Sequence, residues 1–92
     1  MSIQSESREL FRLNLLQQLA AIGPMGMKIP ALKVGAVAGG FDTVTPTDIE
    51  AELLYLQDKH LVTETEKLIS PENARWRITA EGRDFLAKQG LG

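Results

Sequence analysis

The sequence predicts a small α+β protein, and three observations carry that expectation. Residues 5–22 and 45–59 repeat apolar side chains at helical spacing. Residues 61–78 hold two short runs rich in β-branched side chains on either side of Ser70-Pro71-Glu72-Asn73. After Thr79 the chain returns to a helical pattern. With 92 residues, one domain spanning 1–92 is expected. A chain of this size buries roughly 60–65% of its unfolded surface, enough for a small core.

The first helix is expected over residues 5–22, with Ser5 or Ser7 as N-cap and Gly23-Pro24 as its stop. At 100° per residue, Phe11, Leu13, Leu15, Leu16, Leu19, Ala20 and Ile22 cover an arc of about 200°. A surface helix needs an apolar stripe only somewhat over 100° wide. Either this helix is central in its own domain, covered on two sides, or one flank meets a partner chain. Asn14, Gln17, Gln18 and Ala21 fill the rest, and Leu10 falls on that polar side.

Residues 23–29 form a connector. Pro30 to Ala38 stays ambiguous. Leu32, Val34 and Ala36 alternate like a strand, whereas Pro30 and Gly39-Gly40 suit the ends of a short helix. Thr45 to Lys59 is clearer. Thr45 is placed to cap, Pro46 to open the helix, and Asp48 to complete a reciprocal box. Ile49, Leu53 and Leu56 line one side with Leu54 beside them. Glu50, Glu52, Tyr55 and Lys59 point largely outward.

Leu61 to Thr65 is expected as a strand, followed by a type I turn with Ser70 facing Asn73. That register sets Thr65 opposite Ile78, Lys67 opposite Trp76, and Glu66 opposite Arg77 as a cross-strand ion pair. Trp76 and Ile78 face the core, and Arg75 and Arg77 face solvent. Thr79 caps a last helix that sends Phe85 and Leu86 inward, with Ala87 to Gly92 frayed.

Two stretches in this order resemble the winged helix-turn-helix domain. Ile49-Glu50-Ala51-Glu52-Leu53-Leu54-Tyr55-Leu56-Gln57-Asp58-Lys59-His60-Leu61-Val62 looks like the second helix of the motif running into the first wing strand. Trp76-Arg77-Ile78-Thr79-Ala80-Glu81-Gly82-Arg83-Asp84-Phe85-Leu86 looks like a wing strand followed by a Thr-x-x-Gly start to the closing helix. In size and pattern the chain is most similar to the small winged-helix proteins of Mu-like phages and prophages. The resemblance implies a three-helix core with a two-stranded wing and a C-terminal helix. It also implies duplex DNA as partner and a role in transcription regulation, with the second motif helix in the major groove and the wing over the backbone.

Composition narrows the alternatives. Absence of cysteine excludes disulfides and thiolate metal sites. The single histidine, His60, reads as a polar residue closing a helix, so neither a metal site nor catalysis is expected. Gly35, Gly39 and Gly40 lack the Gly-Lys-Ser/Thr of a phosphate loop. No enzyme, cofactor or small-molecule substrate is expected. No apolar run approaches the ~20 residues of a membrane helix, and Met1 to Glu9 lacks the apolar stretch of a signal peptide, so a cytoplasmic location is expected.

Charge speaks against a simple transfer of the DNA function. Residues 46–60 carry -3 of a net charge of -2, with Asp48, Glu50 and Glu52 near the start of the motif helix. Duplex affinity rests on cationic contacts to phosphate. The candidate nucleic-acid contacts are Lys28, Lys33, Thr47, Tyr55, Lys67 and Arg75. Each has a plainer reading. The lysines can be solubilising, the Lys67 stem can lie across Trp76, and the Tyr55 ring can fold over its helix edge rather than stack on a base. Two functions stand: a DNA-binding regulator, dimeric through the Leu10–Leu13 flank of the first helix, and a module that binds protein through its acidic helix or wide apolar helix.

Overall fold

The computed structural model describes residues 5–65 and 74–91. Over these residues the protein is α+β, with four α-helices and a two-stranded antiparallel sheet. Helix α1 spans Ser5–Ile22, α2 Ile29–Ala38, and α3 Pro46–Asp58. Strands β1, Val62–Glu64, and β2, Trp76–Ile78, follow, and α4 covers Ala80–Lys88. A 3-10 turn, Gly23–Met25, ends α1 at the expected Gly-Pro. No described helix is long and apolar enough to cross a membrane.

The core forms around α1. Phe11, Leu15, Leu16 and Leu19 are fully buried, together with Leu32 of α2, Ile49, Leu53 and Leu56 of α3, and Leu86 of α4. Helix α1 touches α2, β2 and α4, so its wide apolar arc is covered from several sides within the domain. Leu13 packs against this core, while Leu10 stays 59% exposed. Even its polar flank is used. Gln18 Nε2 donates to Leu32 O at 3.0 Å and to Asn14 Oδ1 at 2.9 Å. The Gln18 amide lies over Gly35, in space that any Cβ there would occupy.

The ambiguous segment is helical. Pro30 falls in the first turn of α2, where its missing N–H costs no bond, and that advantage outweighs the short alternation of Leu32, Val34 and Ala36. The box at α3 forms as expected. Thr45 Oγ1 accepts from Asp48 N at 3.1 Å and the Asp48 carboxylate accepts from Thr45 N at 2.8 Å. At the other end His60 takes the left-handed conformation, φ 64. His60 N donates to Gln57 O and Leu61 N to Leu56 O, both at 2.9 Å, closing α3 with the paired bonds usually built on glycine. Ser7 lies inside α1 rather than capping it.

The sheet register differs from the turn-based expectation. Val62 pairs with Ile78, Thr63 with Arg77, and Glu64 with Trp76. Thr65 N donates to Arg75 O at 2.7 Å, one pair beyond β1 and β2. Thr65 is thus opposite Arg75 rather than Ile78, and Arg77 faces Thr63 rather than Glu66. The reason is burial. This register puts Val62 inside at 2% exposure beside Ile78, where the expected one put Thr65. Trp76 and Ile78 are buried and Arg75 and Arg77 exposed, as anticipated. The Ser70–Asn73 turn, Glu66 and Lys67 lie outside the described residues.

Thr79 knots the sheet to the last helix. Its hydroxyl donates to His60 O at 2.6 Å and accepts from Gly82 N at 3.0 Å. A Cβ on Gly82 would land on Leu61 O and the Ile78 side chain, so this turn of α4 sits against backbone only because it carries glycine. Hydrogen bonding after α4 runs further than expected, through Leu91. Gly90 N donates to Ala87 O and Leu91 N to Leu86 O, which closes α4 after Lys88.

Candidate nucleic-acid interface

A third segment joins the sheet. Met27 N donates to Trp76 O and Trp76 N to Met27 O, both at 2.8 Å, as an isolated antiparallel bridge. Gly26 makes the approach possible, with φ 71 and a position where a Cβ would meet Trp76 O at 2.6 Å. One residue beyond the bridge on each segment stand Lys28 and Arg75. Lys28 is extended, φ -82 and ψ 158, and is the N-cap residue of α2. By alternation, Lys28, Arg75 and Arg77 share the sheet face opposite Trp76 and Ile78. The other residues described on that face are Gly26, Thr63 and Thr65, all uncharged. Three cations therefore meet on one small surface at the start of α2.

Helix α3 presents a different surface. Ile49, Leu53 and Leu56 face the core, and helical spacing puts Thr47, Ala51, Leu54 and Asp58 on the opposite stripe. All four are exposed, as is Glu50 on the flank. Leu54, expected beside the core residues, is 49% exposed because it sits on the far side of the helix from Leu56. Gln57 lines a cleft with His60, Val62 and Thr79, away from this stripe.

Glu52 and Tyr55 face α1. Arg12 Nε donates to Glu52 Oε1 at 2.6 Å, with both side chains about 15% exposed, and Arg8 approaches Glu52 at 3.7 Å. Burial works against the Arg12 charge, yet the Glu52 hydrogen bond and the surrounding charges, Glu52 and Glu9 among them, together outweigh it and hold the guanidinium above its ordinary pKa. The same guanidinium lies 3.8 Å from the centre of the Tyr55 ring. One face of Tyr55 is thus taken inside the molecule, which matches the plainer reading of that residue. The Asp48 carboxyl is held below its ordinary value by the Thr45 backbone N–H.

Of the six residues singled out in the sequence, Lys28 and Arg75 come together on the sheet face. Thr47 lies on the exposed stripe of α3, Lys33 is half-buried on α2, Tyr55 is 39% exposed beneath Arg12, and Lys67 lies outside the described residues. Arg77, expected opposite Glu66, faces Thr63 and joins the cationic face. Its exposed position in a Trp-Arg-Ile alternation was the signal. No group of three described acidic or histidine side chains could hold a metal ion. No protein family, curated protein or solved structure was found to match the chain.

Proposed function

We propose that the chain is a winged-helix DNA-binding protein acting in regulation, with α2 and α3 as its helix-turn-helix and the β1–β2 hairpin as its wing. The observation that carries this reading is the cationic sheet face of Lys28, Arg75 and Arg77, next to the start of α2. Phosphate contacts of that kind supply most of the affinity for duplex DNA. The charge objection also shrinks. Glu52 is paired with Arg12 and Arg8, so its charge is offset, while Asp48, hydrogen-bonded only to the neutral Thr45 N–H, keeps its charge alongside Glu50 and Asp58.

Duplex binding measured between about 50 and 200 mM salt tests the proposal. Three phosphate contacts predict a loss of about fortyfold across that range, and Arg75→Ala lowers the logarithmic salt slope by about one. Absence of binding at about 50 mM salt overturns it.

A second reading has its own observation. The outer face of α2, Pro30, Ala31, Val34, Val37 and Ala38, is exposed and uncharged, with Val34 72% accessible. Such a face favours a protein partner. Pairing of two copies is proposed through the Leu10 flank of α1, which would supply two half-site readers. Sedimentation equilibrium then gives twice 10.1 kDa, and Leu10→Glu returns the protomer.

A further inference from the structure

Resting on the DNA reading, we infer that α3 reads thymine methyl groups together with one cytosine, and makes no guanine contact. The stripe opposite the core consists of Thr47, Ala51, Leu54 and Asp58, flanked by Glu50. In the major groove guanine shows two acceptors, best met by Arg or Lys, and adenine is best met by the amide of Asn or Gln. None of these four residue types stands on the stripe. The single amide of α3, Gln57, lies in the cleft beside His60 and Thr79. Lys59 lies near the Tyr55 ring, 5.8 Å from its centre, on the flank that faces α1.

The stripe does offer apolar carbon. Thr47, Ala51 and Leu54 follow one another at four- and three-residue spacing, so their methyl groups form one ridge along α3. Thymine is the base that presents a methyl group in the major groove, and small apolar side chains are its partners. Glu50 adds an acceptor at the edge of the ridge, and the cytosine amino group is the donor it fits. Discrimination and grip are then divided. The sheet face holds phosphate without regard to sequence, and the α3 ridge selects a pyrimidine-rich strand.

The test selects bound sequences from a pool of random duplexes with the full chain at about 50 mM salt. The enriched site is then resynthesised with deoxyuridine replacing thymine, one position at a time. The expected result is a thymine-rich half-site in which each contacted methyl is worth about fourfold, the value of one buried carbon. Leu54→Ala, at a half-exposed position that leaves the core intact, erases the penalty at one thymine and leaves the salt slope unchanged. Glu50→Gln moves one preferred cytosine to adenine. Selected sites that lose affinity when 7-deazaguanine replaces guanine overturn the inference and leave the DNA reading standing, as does full affinity for the deoxyuridine duplexes. A pool that yields no bound duplex overturns both.

Discussion

The outer face of the sheet and the outer stripe of α3 are built on opposite principles. The sheet face gathers its charge from two distant segments, Lys28 before α2 and Arg75 and Arg77 in and beside β2, and exists only because Met27 bridges Trp76. The α3 stripe is local, drawn from thirteen consecutive residues of one capped helix, and carries apolar and acidic side chains. A net charge of -2 therefore hides a surface of three cations. Total charge says little about binding when segments far apart in sequence set the local field.

The sheet face is the more fragile of the two. Trp76→Ala empties the space under it and removes the ring that seats the Met27 bridge. A loss of about 3–5 kcal/mol is expected in urea unfolding. A loss below about 1 kcal/mol would mean that the face stands without its anchor.

Glu52→Gln probes how α3 is held, because Glu52 ties α3 to Arg12 rather than facing outward. A cost of about 2 kcal/mol in stability is expected, since hydrogen bonds to charged groups lie in that range. Glu50→Gln should leave stability unchanged and, under the DNA reading, tighten binding to duplexes of unrelated sequence by removing repulsion. Equal behaviour of the two variants would erase the distinction between the inner and outer sides of this helix.

Thr45→Ala removes the hydroxyl that accepts from Asp48 N and should cost about 1 kcal/mol. The remaining half of the box depends on pH. Asp48 has its folded pKa below the ordinary 3.8, so its contribution is present above that value and is lost as pH falls through the depressed folded pKa. A Thr45–Asp48 contribution that persists unchanged to pH 2 would contradict the bond. The smallest effect is a gain. His60→Gly should stabilise by about 0.5–1 kcal/mol in thermal unfolding, because glycine accepts the left-handed conformation freely. A loss instead would show that the imidazole does more than close α3.

Much of the helical framework was legible in the sequence because its signals are local. Thr45, Pro46 and Asp48 marked the start of α3, and Gly23-Pro24 marked the stop of α1. Thr79 marked α4, although only the structure shows its hydroxyl bridging His60 and Gly82. The register was misread because it was propagated from an assumed turn, whereas burial of Val62 decides it. Inward Trp76 and Ile78 were still read correctly, since alternation within one strand does not depend on its partner. The cationic face could not be read, for segment-by-segment counting separates Lys28 from Arg75. Arg12 on Tyr55 was equally hidden, because α1 and α3 meet only through tertiary packing.

The Met27–Trp76 bridge also orders events in time. It closes a loop of about fifty residues, at an entropic cost of roughly 3 kcal/mol, whereas each residue added to an existing helix gains a hydrogen bond for the backbone it fixes and closes no long loop. The helices can therefore form before this closure, and the bridge belongs to the late steps of folding. During synthesis Lys28 leaves the ribosome long before Arg75, so the three-cation surface does not exist on a growing chain. That surface arrives only with a finished fold, and the amide protons of Met27 and Trp76 should gain protection from exchange in the same step.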